Sequence, residues 1–227
     1  LILKKLGMPY ADSIYHLSYG LVELPSGRMK SREGTVVDAD DLINEMVKEA
    51  EAKTREKSKP EEFSAEELKE LYETIALGAL KFFLLKVDPK KKMVFNPEES
   101  IDFHGFTGPF IQYTHARIKS ILRKEAVDDS KSPAQSSALL PLEKQMLLWL
   151  DQYPEIVQQA AIEHNPASVA NYIYSVAQLY NTFYTAHSVL KAESDEKKQL
   201  RLRLSQLTAT TIKEAMGLLG IRVPERM

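Results

Sequence analysis

Apolar and polar residues recur with helical spacing over most of this chain. Leu42, Ile43, Met46, Val47 and Ala50 fall on one face of a helix. Asp38, with Asp41 behind it, supplies the N-cap and the acidic first turn. The stretch from Lys48 to Phe63 is crowded with charge and interrupted by Pro60, as in a solvated helix end and linker. Ser64 to Glu67 is a reciprocal capping pattern that predicts a long helix to about Lys86. Its core stripe is Leu68, Leu71, Tyr72, Ile75, Ala79 and Phe83. Asp88 to Pro97 is a break, and Gly105 to Pro109 launches a helix from about Phe110 to Glu125. After a Ser-rich loop at 128–140, two shorter helices are predicted near 141–151 and 154–163. Asn165-Pro166 opens another to about Leu190, and a last one runs from about Asp195 to Leu219, stopping at Gly220. Residues 12–24 break the pattern: their aromatic and branched apolar run predicts a buried strand, closed by Pro25-Ser26-Gly27. The expected fold is mainly α, a helical bundle from about residue 64 preceded by a short α/β stretch.

Composition narrows this picture only a little. The chain has 227 residues, 44% hydrophobic and 27% charged, the balance of an ordinary globular protein. Cysteine is absent, which excludes disulfides and thiolate metal sites and suits a cytoplasmic setting. No metal site is expected, because the histidines lack ligand spacing. No apolar run is long enough for a membrane helix. The net charge of -2 carries no general basic footprint for nucleic acid, so any such role needs a local patch. The chain opens on Leu1 without a signal-peptide pattern and reads as part of something longer.

Two segments carry candidate chemistry. Between Gly27 and Gly34 the chain packs Arg28, Lys30, Ser31 and Arg32 into one loop, after the predicted strand and before a helix. Cations on such a loop can close over the oxygens of a departing pyrophosphate, where charge builds in the transition state. A basic surface turn has the same composition, and the residues alone leave both readings open. On the helix from Phe110, Ile111, Ile118 and Leu122 share one side, with Ile121 at its border. Phe110, Tyr113, Arg117 and Lys124 share another. An aromatic-plus-arginine stripe suits base stacking with phosphate pairing, yet the same rings could simply widen the core. The helix from Pro166 repeats the pattern. Tyr172, Val176, Leu179 and Phe183 form one stripe, and Ile173, Ala177, Tyr180 and Tyr184 the next. There too packing and ligand contact both remain open.

The order of residues adds a resemblance. The loop at 27–34 resembles the KMSKS signature of class I aminoacyl-tRNA synthetases in its arginine-specific form. It departs by Arg28 for Lys, Lys30 for Ser and Ser31 for Lys, which implies Lys30 in the missing lysine's role. Phe106 to Leu122 is similar to the segment that opens the anticodon-binding domain of arginyl-tRNA synthetases, the DALR fold. Asn171 to Tyr184 resembles its second recognition helix, and Arg201 to Leu204 and Gly217 to Met227 resemble its close.

This resemblance implies residues 1–50 as a class I catalytic-domain remnant, 51–104 as a helical connector and 105–227 as the anticodon-binding domain. It implies catalytic roles for Arg28, Lys30, Ser31 and Arg32, and tRNA contacts at Phe110, Tyr113, Arg117, Tyr180, Tyr184 and Met227. Position 110 is commonly Tyr in the family, so Phe110 keeps the stacking surface without the hydroxyl. The implied parent activity is ATP-dependent activation of L-arginine, with Mg2+, and its transfer to tRNA-Arg by a cytoplasmic monomer. The HIGH-type motif such enzymes need is not among these residues, so the chain by itself is expected not to form the adenylate. A cysteine-specific relative or a non-catalytic helical tRNA-binding module are the competing expectations.

Overall fold

The computed structural model describes residues 1–25, 38–57, 63–128 and 138–227. The loop with Arg28, Lys30, Ser31 and Arg32 lies outside the described residues, as does most of the expected 128–140 loop. The elements in chain order are α1 (Ile2–Lys5), β1 (Val22–Glu23), α2 (Ala39–Lys57), α3 (Ala65–Leu85), β2 (Met93–Val94) and α4 (Pro97–Ser100). They continue with α5 (Gly108–Lys124), α6 (Pro141–Asp151), α7 (Tyr153–Glu163), α8 (Pro166–Ala186) and α9 (Asp195–Leu218). The mainly helical expectation is met. No described helix is long and apolar enough to cross a membrane.

Local chemistry sets the helix ends. Asp38 Oδ1 accepts from the amide of Asp40 at 2.9 Å, capping α2. At α3 the capping box is complete: Ser64 Oγ accepts from the Glu67 amide, and Glu67 Oε2 accepts from the Ser64 amide. Thr107, Asn165 and Ser194 cap α5, α8 and α9 with a side-chain oxygen that accepts from a first-turn amide. Helix α9 ends where Gly220 turns to φ +68°, a conformation that costs other residues more than glycine.

The strand expected over 12–24 shrinks to Val22–Glu23. These residues pair in parallel with Met93–Val94, in the register Val22↔Met93 and Glu23↔Val94. Among the described residues, no neighbouring strand pairs with the earlier part of the run. The ladder bonds start at Gly20, whose amide reaches Pro89 O, and continue from Met93 N to Leu21 O. Ile14, Leu17 and Tyr19 are exposed. The Tyr15 ring instead stacks on His164 at 4.0 Å.

Two apolar clusters form the core. One gathers α5, α6, α7, α8 and α9 around Ile111, Ile118, Met146, Ile173, Tyr180, Phe183, Leu202 and Ile212. The other joins α2 and α3 through Met46, Ala50, Leu71, Ile75 and Ala79, with Phe95, Ile101 and Phe103. Helices α3 and α5 cross closely: a Cβ on Gly108 would lie 2.4 Å from Gly78 O. Without side-chain bulk at 108 the backbones meet directly, and this fixes α5 against the second cluster. Helix α2 runs unbroken through residues 50 and 51.

Candidate nucleic-acid interface

Helix α5 starts at a Thr107 cap, where Thr107 Oγ1 accepts from the Phe110 amide at 3.3 Å and its own hydroxyl donates to Asp102 O. Pro in the first turn fits, since no intrahelical donor is needed there. Of its apolar side, Ile111 and Ile118 are buried as the spacing predicts; Ile121 at the border is buried as well, and Leu122 is only half-buried. That rotation leaves Tyr113 and Arg117, one turn apart, on the side facing α8.

The guanidinium of Arg117 lies 4.7 Å from the centre of the Tyr113 ring and 5.6 Å from that of Tyr184 on α8. Both rings keep part of their surface open, at 37% for Tyr113 and 38% for Tyr184. Each cation–ring contact at an exposed site contributes roughly 0.5–1 kcal/mol. Asn181 fixes the cation. Its Oδ1 accepts from Arg117 Nη1 at 2.5 Å, while its Nδ2 donates to Thr114 Oγ1 at 2.8 Å and to Ala177 O at 3.0 Å. Thr114 in turn donates to Phe110 O. One amide thus ties the arginine to both helices.

Tyr180 does not belong to the exposed set, and the expectation of an available ring there is corrected. It is 0% exposed, and its hydroxyl meets Ser205 Oγ on α9 at 2.9 Å. Ser205 donates to Arg201 O, which leaves its oxygen free to accept from the phenol. Burial pushes the Tyr180 phenol well above its usual range, the Ser205 hydrogen bond offsetting only part of that. The ring backs Tyr184, stacked at 6.4 Å between centres. Neighbours on several sides of α8 bury Ile173 and Ala177 along with Tyr172, Val176 and Phe183, so both stripes of that helix are core as far as Phe183, and Tyr184 alone of the second stripe stays open.

Phe110 is half-buried in an aromatic group with Tyr174 at 5.2 Å, and Tyr174 meets Phe106 at 4.3 Å. Tyr113 touches Phe103 edge-on at 6.4 Å, linking the exposed pair to the second cluster. Met227 packs against that same cluster. The tail before it is tied down by Gln112 Nε2 to Arg222 O, by His115 Nδ1 to Pro224 O, and by Arg226 to Glu67. The sequence reading missed Asn181 and Tyr174. An asparagine inside an otherwise apolar helical run was the available signal for the first, since Asn disfavours helix interiors without a specific bond.

Residues 111–227 match the model of the DALR anticodon binding domain, and residues 1–96 match that of the tRNA synthetases class I (R), catalytic domain. The chain belongs to the arginyl-tRNA synthetase family. The matching catalytic model sets the cysteine-specific expectation aside. Within this family it is 58% identical over 227 residues to an arginine–tRNA ligase of Flavobacterium psychrophilum, covering 100% of this chain and 37% of that relative. It is 50% identical to one of Parabacteroides distasonis, covering 38% of it. The chain therefore spans well under half the length of these synthetases. Thermus thermophilus arginyl-tRNA synthetase superposes with a TM-score of 0.88 at 34% identity, over 99% of this chain and 38% of that one. The Plasmodium falciparum synthetase, at 24% identity, shares the fold with a TM-score of 0.77 over 93% of this chain and 35% of its own.

Proposed function

We propose that this chain is the tRNA-reading part of an arginine–tRNA ligase, with the arginine-anticodon contact made by Tyr113, Arg117 and Tyr184. The observation that carries this reading is the fixed guanidinium of Arg117 between two partly exposed tyrosine rings. An unpaired base can lie on either ring while the cation, already oriented by Asn181, meets its edge or a phosphate. Phe110 contributes as the half-buried wall behind Tyr174, Tyr180 as the support under Tyr184, and Met227 through the tail that braces α5. In the complete protein the loop residues Arg28, Lys30, Ser31 and Arg32 would neutralise the pyrophosphate leaving ATP, with Mg2+, as L-arginine is activated for transfer to tRNA-Arg. Residues 1–50 would close the catalytic domain, 51–104 connect it and 105–227 read the anticodon. A cytoplasmic monomer fits that role.

The test is tRNA-Arg binding by the complete protein. Tyr113→Ala and Tyr184→Ala should each weaken it by roughly 1–3 kcal/mol, the value of a stacked base, with the helical melt nearly unchanged. Wild-type affinity in both variants would remove the site.

A further inference from the structure

About 80–120° round α5 from Tyr113, Lys119 and Arg123 lie one turn apart, and Lys213 approaches from α9. All three converge on one residue of the C-terminal tail. Lys119 Nζ is 2.9 Å from Glu225 Oε2, Lys213 Nζ is 3.8 Å from Oε1, and Arg123 Nη1 donates to the Glu225 carbonyl at 2.9 Å. Alongside runs a groove of about 360 Å³ lined by His115, Lys119, Gln206, Thr210 and Lys213, with no carboxylate among the described residues of its lining. Two lysines thus share the Glu225 carboxylate, with Arg123 on its carbonyl, in a chain whose net charge is -2. The excess positive charge is local.

The Glu225 side chain is not what holds the tail. Arg222 pairs with Glu70, Gln112 donates to Arg222 O, His115 meets Pro224 O, and Arg226 pairs with Glu67. The backbone carbonyl of Glu225 is bonded to Arg123 independently of its carboxylate. At 52% exposure, that carboxylate can swing into water by a rotamer change alone. Burial pushes its carboxyl up, but Lys119 and the charges of His115 and Lys213 outweigh this and keep it below its ordinary value. It is an anion at neutral pH, held against Lys119 and Lys213.

We propose that Lys119, Arg123 and Lys213 bind the sugar–phosphate backbone of the RNA whose bases stack on Tyr113 and Tyr184, and that Glu225 occupies this cationic rim until phosphate displaces it. The inference rests on the anticodon reading above. From Tyr113 to Arg123 is ten residues, about 15 Å along the helix, a span of a few nucleotides. Charge complementarity selects the occupant, since a backbone of phosphodiesters is the polyanion that follows a helix over that length. Stabilisation of the α5 C-terminus accounts for Arg123 in the last turn, but not for Lys119 or for Lys213 on another helix.

The experiment titrates the complete protein with tRNA-Arg over a series of salt concentrations. Glu225→Gln frees the rim, so affinity at low salt should rise about two- to fivefold, the scale of one exposed ion pair. The slope of log affinity against log salt should steepen by about one, because the lysines then release counterions in place of a side chain. Lys213→Gln, at a position 66% exposed and without a role in the core, should weaken binding and flatten the slope by about one. Unchanged or weaker binding by Glu225→Gln, or a slope unmoved by Lys213→Gln, overturns the proposal. Tyr113→Ala separates the two readings. If it weakens binding while the charge variants do nothing, only the phosphate rim fails; if it and Tyr184→Ala also have no effect, the anticodon site fails with it.

Discussion

Arg117 is held by two rings and one amide, and each makes a different demand. The rings need their faces free on one side; the amide needs to be anchored on both helices. Asn181 meets the second demand by donating to Thr114 and to Ala177. Tyr180 and Tyr184, one turn apart, show how sharply position matters here. The former is sealed against Ser205 and the latter is open. Tyr180→Phe should therefore lower stability by about 1 kcal/mol, the net value of one buried hydrogen bond, while tRNA affinity stays at the wild-type level. Chemical denaturation alongside a binding titration checks both halves. Reduced affinity without reduced stability would place Tyr180 in contact with RNA after all.

Among the elements, the crossing of α3 and α5 orients the whole interface. Gly108 sits against Gly78 O, and the buried Gln112 amide one turn on donates to Thr74 O at 2.9 Å and to Arg222 O at 2.8 Å. A methyl group at 108 has no room. Gly108→Ala should cost about 1–3 kcal/mol through overpacking and shift the melting temperature down, although alanine favours a helix intrinsically. A neutral or higher melting temperature would show that the crossing is looser than this geometry. The helices themselves were legible from their caps and stripes: Asp38, Ser64 and Asn165 act as the chain pattern predicts. The strand over 12–24 was not, because a run of apolar residues becomes a strand only where a neighbouring backbone offers bonds.

Across the whole molecule, charge buried between α6 and α9 makes the fold sensitive to acid. Glu143 is fully buried, with Lys197 Nζ at 2.6 Å and Arg201 Nε at 3.0 Å, and it also accepts from the Leu140 amide. Burial alone would raise its carboxyl, but these bonds outweigh it and hold the group below the ordinary 4.5. The unfolded chain thus takes up this proton first as pH falls. The stabilisation is full above about pH 4.5 and is lost below it. His115 adds an earlier, shallower limb. Burial lowers it below 6.5, so folding excludes a proton that the unfolded chain accepts, and stability declines as pH drops below that value. Glu143→Gln leaves two cations buried beside a neutral amide. It should cost about 3–5 kcal/mol at pH 7 and remove most of the limb below pH 4.5. Denaturation followed from pH 7 to 3 measures this; an acid limb identical to that of the wild type would assign it to other carboxylates.

The sequence by itself determined the long helices, most of their ends and most of the stripes that face the core, because caps, proline positions and apolar spacing act within a few residues along the chain. It also placed Tyr113 and Arg117 on a face distinct from the core of α5. Tertiary structure alone decided which aromatic ring of α8 reaches the surface. Tyr180 and Tyr184 share one stripe and one chemistry, and only the neighbouring α9, which supplies Ser205, closes over the first and leaves the second open. It likewise brought Glu225 to Lys119, far from it in the chain, beside Lys213. Burial and charge pairing depend on which elements meet, and periodicity along a single helix carries no record of that.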